Sequence, residues 1–321
     1  MDLKKLIPTY TPIKNPTEFE YKFTIFTPIF NRADTLHRVF NSLQKQTYSN
    51  FELLLINDGS TDNSHEVALE LIKSANFKVR YINNLVNRHK MACMIQGVEL
   101  AKGEFFLPLD SDDECVENAL EVFLNRYNSI PKKLMSYVSG VTCLCADQNG
   151  NLIGEKFKQT PFLSSSFKNR LNNLNLEEKW GFTKTDILKG ISINPIIFSK
   201  GYIPEGIIWN LLSKHHFKTV YTNDVLRIYY LDTENSISKQ SYQDEAIGTA
   251  VFSLCFLNWF SKDYFWKNPK VILARIYTLL RASSFLDIKK GDYIRAIEDK
   301  RMKTLFNLLW PFKKIIFKVI G

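Results

Sequence analysis

From Phe23 to Leu109, short apolar blocks alternate with segments whose apolar residues recur every three or four positions. The blocks Phe23–Thr27, Phe51–Ile56, Phe77–Ile82 and Phe105–Leu109 predict four strands. Between them, Leu36, Val39, Phe40 and Leu43 form one helical stripe behind Asp34, a residue suited to capping. Val67, Ala68 and Leu71 form a second stripe behind Asp62, and Met91–Ala101 a third helix closed by Gly103. A β-α-β-α-β-α-β order predicts an α/β fold, a doubly wound and mostly parallel sheet with helices on both faces. Ligands of such sheets sit beyond the carboxyl ends of the strands. Three polar clusters fall at those ends: Pro28–Arg32, Asn57–Ser60 and Asp110–Asp113.

Beyond Asn118 the rhythm is mixed. A helix is expected over Asn118–Asn128, then strands Tyr137–Ala146 and Leu152–Phe157 on either side of the Asn149-Gly150-Asn151 turn. Residues 164–179 read as a mobile polar loop. Short helices follow from Lys184 and over about Glu205–His216, with strands near Val220 and over Leu226–Leu231. From Tyr242 onward the pattern is helical. There is no internal repeat.

Composition narrows the class. With 45% hydrophobic and 23% charged residues the chain is an ordinary globular protein, not a disordered one. Its five cysteines are odd in number and scattered, as expected of reduced thiols, and Cys143-x-Cys145 reads as strand packing. The first residues carry prolines and charges where a signal peptide has an apolar core. The longest uncharged run, Ala246–Ser261, is shorter than the roughly 20 residues of a membrane span and reads as a buried helix.

The stretch "FFLPLDSDDE" (105–114) ends an apolar strand in four acids out of five residues. Neighbouring carboxylates repel and resist ionisation, so a positive partner is expected. One or two carboxylates plus phosphate oxygens suit Mg²⁺ or Mn²⁺. The plainer reading is that Ser111 or Asp113 caps the next helix among solvated acids.

With "TPIFNR" (27–32), "INDGSTDNS" (56–64), "GVELAKGEFFLPLDSDD" (97–113) and "PEGIIWN" (204–210), the chain resembles the family-2 glycosyltransferases of the GT-A fold. The resemblance is dense over 23–130 and thinner to about 232. It implies an inverting hexosyl- or N-acetylhexosaminyl-transferase acting on a nucleotide-sugar donor, with uracil the simplest base. Thr27, Pro28, Phe30 and Arg32 match the loop around base and ribose. Asp58 matches the acid that accepts the base N–H. Asp110, with Ser111, matches the acid near the ribose, and Asp112 the ligand of a Mn²⁺ or Mg²⁺ ion bridging to the diphosphate. Lys90 stands where the family often places a basic residue near the nucleotide, but His89 replaces a usual glycine and Gln96 a usual asparagine.

Single displacement also needs a base for the acceptor hydroxyl. The usual Glu-Asp pair is missing, and Glu205 in Pro204-Glu205-Gly206 resembles a variant of it. As a plain alternative, Glu205 is a first-turn acid favoured by the helix dipole. Trp209 and Arg227 are candidate acceptor or phosphate contacts. His215-His216 reads as a solvated helix end and Asp186 as a short-helix residue without a special role.

The net charge of +9 has one source: residues 262–321 hold 14 Lys/Arg against 5 Asp/Glu. Within 301–321, Leu305, Leu308, Phe312, Ile315, Ile316 and Val319 are expected on one helical side, with Lys303, Asn307, Lys314 and Lys318 opposite and a kink at Pro311. Such a helix suits an anionic membrane surface, with docking on the protein body as the alternative. Nucleic acid is not an expected partner, since the cations are interleaved with large aliphatics.

The expected organisation is an N-terminal extension (1–22), a GT-A domain (23–232, nucleotide half 23–130 and acceptor half 131–232) and a basic helical region (233–321). The expected role is sugar transfer to a glycan or lipid-linked acceptor in cell-surface polysaccharide synthesis, at the cytoplasmic face of the membrane. A non-catalytic glycan-assembly subunit and a nucleotidyltransferase are the alternatives. "TPIFNRAD" lacks the glycines expected of a triphosphate loop.

Overall fold

A computed structural model describes residues 1–15, 17–172, 177–231 and 242–313. In chain order its elements begin with β1 (Thr9–Tyr10), β2 (Tyr21–Ile29), α1 (His37–Gln44), β3 (Phe51–Asp58), α2 (Ser64–Ser74), β4 (Lys78–Asn84), α3 (Lys90–Leu100) and β5 (Gly103–Pro108). They continue through β6 (Glu114–Cys115), α4 (Ala119–Asn128), β7 (Val138–Asp147), β8 (Phe162–Ser164), α5 (Ser166–Asn172), β9 (Lys179–Lys184), α6 (Thr185–Lys189) and β10 (Ile191–Ser192). Last come α7 (Gly206–Lys214), β11 (Lys218–Tyr229), α8 (Tyr242–Tyr264), α9 (Pro269–Ala282), α10 (Lys290–Ala296) and α11 (Lys300–Leu309). They divide into two compact units, one drawn from Pro12–Gly190 and His216–Ser236, the other from Met1–Thr11, Ile191–His215 and Ile237–Gly321.

The first unit is built on a sheet of nine strands among the described residues, in the order β4-β3-β2-β5-β9-β7-β11-β6, with β8 beside β11. The pairs β4-β3, β3-β2, β2-β5 and β7-β11 are parallel, while β9 runs antiparallel between β5 and β7. Every residue of β3 is buried, the signature of a parallel strand covered on both faces. Leu36, Val39, Phe40 and Leu43 of the first helical stripe enter the core as expected. The strand order reverses between β3-β2 and β2-β5, which makes the end of β2 the switch point of the sheet.

Five expectations are corrected. Gly103 opens β5 instead of closing α3; a Cβ there would stand 2.2 Å from the Thr24 backbone nitrogen, so only glycine lets β5 lie so close to β2. The strand expected over Leu152–Phe157 reduces to a single bridge between Leu152 and Ala146, because the Phe157 backbone exchanges hydrogen bonds with the Asn223 side chain (2.8 and 2.9 Å) instead of a strand. The expected loop 164–179 contains α5 and leads into β9, and 173–176 lie outside the described residues. The two strands expected near 220 and 226 are one, β11, with register shifts around Asn223 and Asp224. There the polar residues turn outward, and Arg126 pairs with Asp224. Asp34 does not cap α1, whose first turn receives no side-chain bond.

The second unit is helical, with the short pair β1-β10. In α8, Ala246, Ile247, Ala250, Val251, Leu254, Cys255 and Leu257 are buried, and none of the helices among the described residues is long and apolar enough to cross a membrane. The expected stripe of the last helix is rotated. Met302 and Phe306 point inward, with Phe306 against Tyr293 and Trp310, whereas Leu308 and Phe312 are 63% and 54% exposed. Asp299 caps α11 by accepting from the Arg301 N–H at 2.9 Å. Residues 314–321 of the expected stripe lie outside the described residues.

Candidate active site

The three polar strand ends meet along one rim. Behind β2, Asn31 donates its N–H to Ser60 Oγ (3.0 Å) and accepts from the Thr61 N–H (2.8 Å), lacing the first loop to the loop after β3. On the other side, Thr35 Oγ1 donates to the Ser111 carbonyl and Arg38 Nη1 to the Asp112 carbonyl, lacing the same segment to the turn after β5. Thr27 is fully buried and donates its hydroxyl to the Leu109 carbonyl at 2.8 Å, so it joins β2 to β5 from beneath. Pro28 is half-buried, and Phe30 stands 43% exposed at the strand end, an aromatic face open to a ligand.

Asp58 ends β3, is 3% exposed, and accepts the Arg88 backbone N–H at Oδ1 (2.9 Å). Gly59 follows with φ +69°; a Cβ there would lie 2.6 Å from the Asn87 backbone nitrogen, so the 85–89 loop lies directly over this strand end. Burial, together with the charge and hydrogen bond of Asp58, pushes the Cys93 thiol far up, which leaves it an inert neighbour. His89 holds φ +69°, ψ 152°, a backbone region that is almost exclusively glycine's. This is the physical content of the glycine that His89 replaces. From it α3 starts, and Lys90 at its first position reaches Asp110 Oδ1 at 2.7 Å. Gln96, the other departure, accepts from the Asn84 amide at 3.0 Å and ties α3 to the end of β4.

The acids after β5 have positive partners within the protein. Arg227 of β11, 4% exposed, donates from Nε to Asp113 Oδ2 (2.8 Å), from Nη2 to Asp113 and Asp110, and from Nη1 to Glu178 (3.2 Å). Arg227 was expected as a phosphate or acceptor contact; buried among carboxylates, it is instead their internal counter-ion. Burial opposes the charge of Asp110, but Lys90 and Arg227 outweigh it and hold its carboxyl well below the ordinary range. Burial dominates at Asp113 and raises it to about 6 against the pull of Arg227. Arg227 itself loses by burial and gains more from Asp110, Asp113 and Glu178, so it stays protonated. Asp113 and Arg38 escaped sequence reasoning, the first because it looked like a helix cap. The second had no signal: it is one more cation on a helix face.

Asp112 differs from its neighbours. Its side chain is 18% exposed and its Oδ2 lies 3.4 Å from Arg32 Nε, a looser pairing than those of Asp110 and Asp113. Among the described residues no group of three or more His, Cys, Asp and Glu side chains is arranged to hold a metal ion by itself. A divalent ion shared between one carboxylate and substrate phosphates needs no such group, and Asp112 fits that arrangement. A shallow hollow of ≈ 250 Å³ also opens beside Gly59, lined by Asn57, Ser60, His65, Asn84 and Leu85 and by none of the acidic turn.

Glu205 and Trp209 lie in the other unit. Glu205 occupies the N-cap of α7 without a side-chain capping bond, and half-buried Trp209 follows one turn later. His215 packs on the Tyr10 ring (4.9 Å), and Asp186 of α6 accepts from Thr17 Oγ1 at 2.6 Å.

Residues 24–179 match the model of Glycosyl transferase family 2. Over that segment the chain is similar to this family. Its α/β fold is the GT-A fold: the crystal structure of S. aureus TarS 1-349 in complex with UDP-GlcNAc superposes with a TM-score of 0.58 at 17% identity, over 92% of this chain and 87% of that one. The putative colanic acid biosynthesis glycosyl transferase WcaA of Escherichia coli K12 is 31% identical over 37% of this chain. The chain spans 43% of that relative's length. The E. coli UDP-Glc:alpha-D-GlcNAc-diphosphoundecaprenol beta-1,3-glucosyltransferase WfgD is 25% identical over 81% of this chain and 92% of its own.

Proposed function

We propose that this chain is an inverting glycosyltransferase that moves a hexosyl or N-acetylhexosaminyl group from a UDP-sugar to a glycan or lipid-linked acceptor of cell-surface polysaccharide. One observation carries the reading: Asp58, the exposed Phe30 and the Asp110–Asp112 turn lie on hydrogen-bonded loops at the carboxyl ends of three neighbouring strands, at the switch point of the sheet. The names of WfgD and of the TarS complex, with a UDP-sugar in each and a diphosphoundecaprenol in the first, support the donor and acceptor classes.

In this reading Phe30 offers its face to the base, Asp58 accepts the base N–H, and Asp110 and Ser111 define the ribose side. Arg32 and Lys90 supply positive charge near the diphosphate. Asp112 would hold Mn²⁺ or Mg²⁺, which would offset charge on the departing phosphates. The acceptor oxygen bonds to the anomeric carbon as the bond from that carbon to the phosphate oxygen breaks. UDP carries away the bonding pair, and Glu205 takes the acceptor proton. Trp209, one turn beyond Glu205, is suited to the acceptor side. Work at the inner face of the cytoplasmic membrane is consistent with the basic C-terminal region.

The test is binding of UDP in the presence of Mn²⁺ by the full chain, followed by release of UDP from a panel of UDP-sugars. Asp112→Ala is expected to weaken UDP binding at least tenfold. Glu205→Gln is expected to leave it within twofold while lowering transfer by about 10²–10⁴. A wild type that binds UDP without releasing it from any UDP-sugar, with Asp112→Ala binding donor and supporting glycan assembly as the wild type does, would favour a non-catalytic assembly subunit. Absence of binding to any nucleoside diphosphate removes the proposal.

A further inference from the structure

We propose that Arg227 and Asp113 form a positioning clasp that fixes the Asp110–Asp113 turn, so that Asp112 faces the metal-bound diphosphate in one orientation. The inference rests on the donor site proposed above. Side-chain and backbone bonds together define the clasp. Arg227 holds both ends of the turn, bonding Asp110 Oδ2 (2.7 Å) and Asp113 Oδ2 (2.8 Å from Nε). Asp113 Oδ1 accepts the Tyr230 N–H (2.9 Å), so β11 and the residue just after it grip the same carboxylate from both sides of Tyr229. Between those ends, the Ser111 carbonyl accepts from Thr35 (3.1 Å) and the Asp112 carbonyl from Arg38 (3.0 Å). The Arg38 guanidinium in turn stacks 3.7 Å above the Tyr230 ring, whose hydroxyl donates to Glu114 at 3.1 Å.

All four residues of the turn are therefore anchored, and the Asp112 carboxylate, 18% exposed and 3.4 Å from Arg32 Nε, is the one of the three aspartates that Arg227 does not bind. A guanidinium is suited to this because its planar fork reaches several acceptors at fixed angles, which a lysine ammonium cannot do. A merely structural ion pair would need no second grip on Asp113 and no bond to the more exposed Asp110. Positioning matters here because a misplacement of about 1 Å can cost on the order of 10²-fold in rate.

The experiment compares wild type, Arg227→Lys and Asp113→Asn as full chains, by calorimetry of UDP with and without Mn²⁺ and by thermal melting. Both variants are expected to bind UDP without metal within about twofold of wild type, because Asp58 and Phe30 are untouched. The tightening produced by Mn²⁺ is expected to fall at least tenfold in each. A retained metal-dependent gain in either folded variant overturns the clasp. An equal loss with and without metal also overturns it, since that is what general loosening gives. If Arg227→Lys fails to fold, Asp113→Asn carries the comparison alone. Failure of the wild type to bind UDP under either condition would instead remove the donor-site reading.

Discussion

Three backbone positions flank the candidate nucleotide site with positive φ, Asn31, Gly59 and His89, and they differ in how well their residues suit it. Gly59 is free to adopt +69°, whereas His89 adopts the same angle at ψ 152° against its side chain. Replacing His89 by glycine removes strain of the order of 1–3 kcal/mol and adds a smaller backbone-entropy cost, so His89→Gly is expected to stabilise the protein by about 1 kcal/mol. Urea denaturation would show it as a higher midpoint at unchanged slope. At the opposite ends of the strands, Glu52 is fully buried and binds Arg80 through two bonds (2.7 and 3.0 Å), along with Thr24 Oγ1 and the Lys102 N–H. Arg80→Met leaves that carboxylate without its cation and is expected to cost about 3 kcal/mol. Adding Glu52→Gln to it should restore part of the loss, again read by denaturation, while UDP affinity stays as in the wild type.

Among the elements, α11 depends most on one cap. Asp299 is 6% exposed and accepts from the Arg301 N–H and guanidinium and from Ser261 Oγ (2.9 Å), a set that lowers its carboxyl to about 2. Its folded value lies below the ordinary one, so its contribution is present above about pH 4 and lost as pH falls toward 2. Asp299→Asn is expected to lower stability by about 1 kcal/mol at neutral pH, with the difference from wild type vanishing by pH 2. Denaturation curves at a series of pH values check both parts. The element level is also where the sequence was most and least readable. The stripe of α1 and the unbroken run of β3 declared themselves, because burial on one face or two leaves a local pattern. β9 did not, since a six-residue strand inserted antiparallel between β5 and β7 is recognisable only from its neighbours.

Taken as a whole, the chain separates its candidate nucleotide site from its surplus charge. The candidate nucleotide site lies in the sheet-bearing unit, while the surplus of cations falls in residues 262–321, with exposed Trp266, Leu308 and Phe312 among them. Lysines near an anionic bilayer add roughly 1 kcal/mol each, and exposed aromatics favour its interface. The full chain is therefore expected to sediment with phosphatidylglycerol vesicles far more than with phosphatidylcholine vesicles, and progressively less as salt rises. Replacing Leu308 and Phe312 by serine should weaken this binding several-fold at unchanged melting temperature. Equal sedimentation with both vesicles would remove the membrane role.

The sequence alone determined the first half of the sheet, the clustering of polar residues at its strand ends and the resemblance to family 2, because strand and helix periods and short motifs are local properties. Only the tertiary structure decided what neutralises the acids. The reading of 105–114 asked for a positive partner and turned to a metal, but Arg227 meets Asp110 from 117 positions away, on a strand whose register no spacing encodes. The inward face of α11 was decided in the same way, by Tyr293 and Trp310 receiving Phe306, and not by the alternation of lysines and aliphatics. Pairings of this kind follow from which surfaces exclude water together, and that is a property of the folded chain.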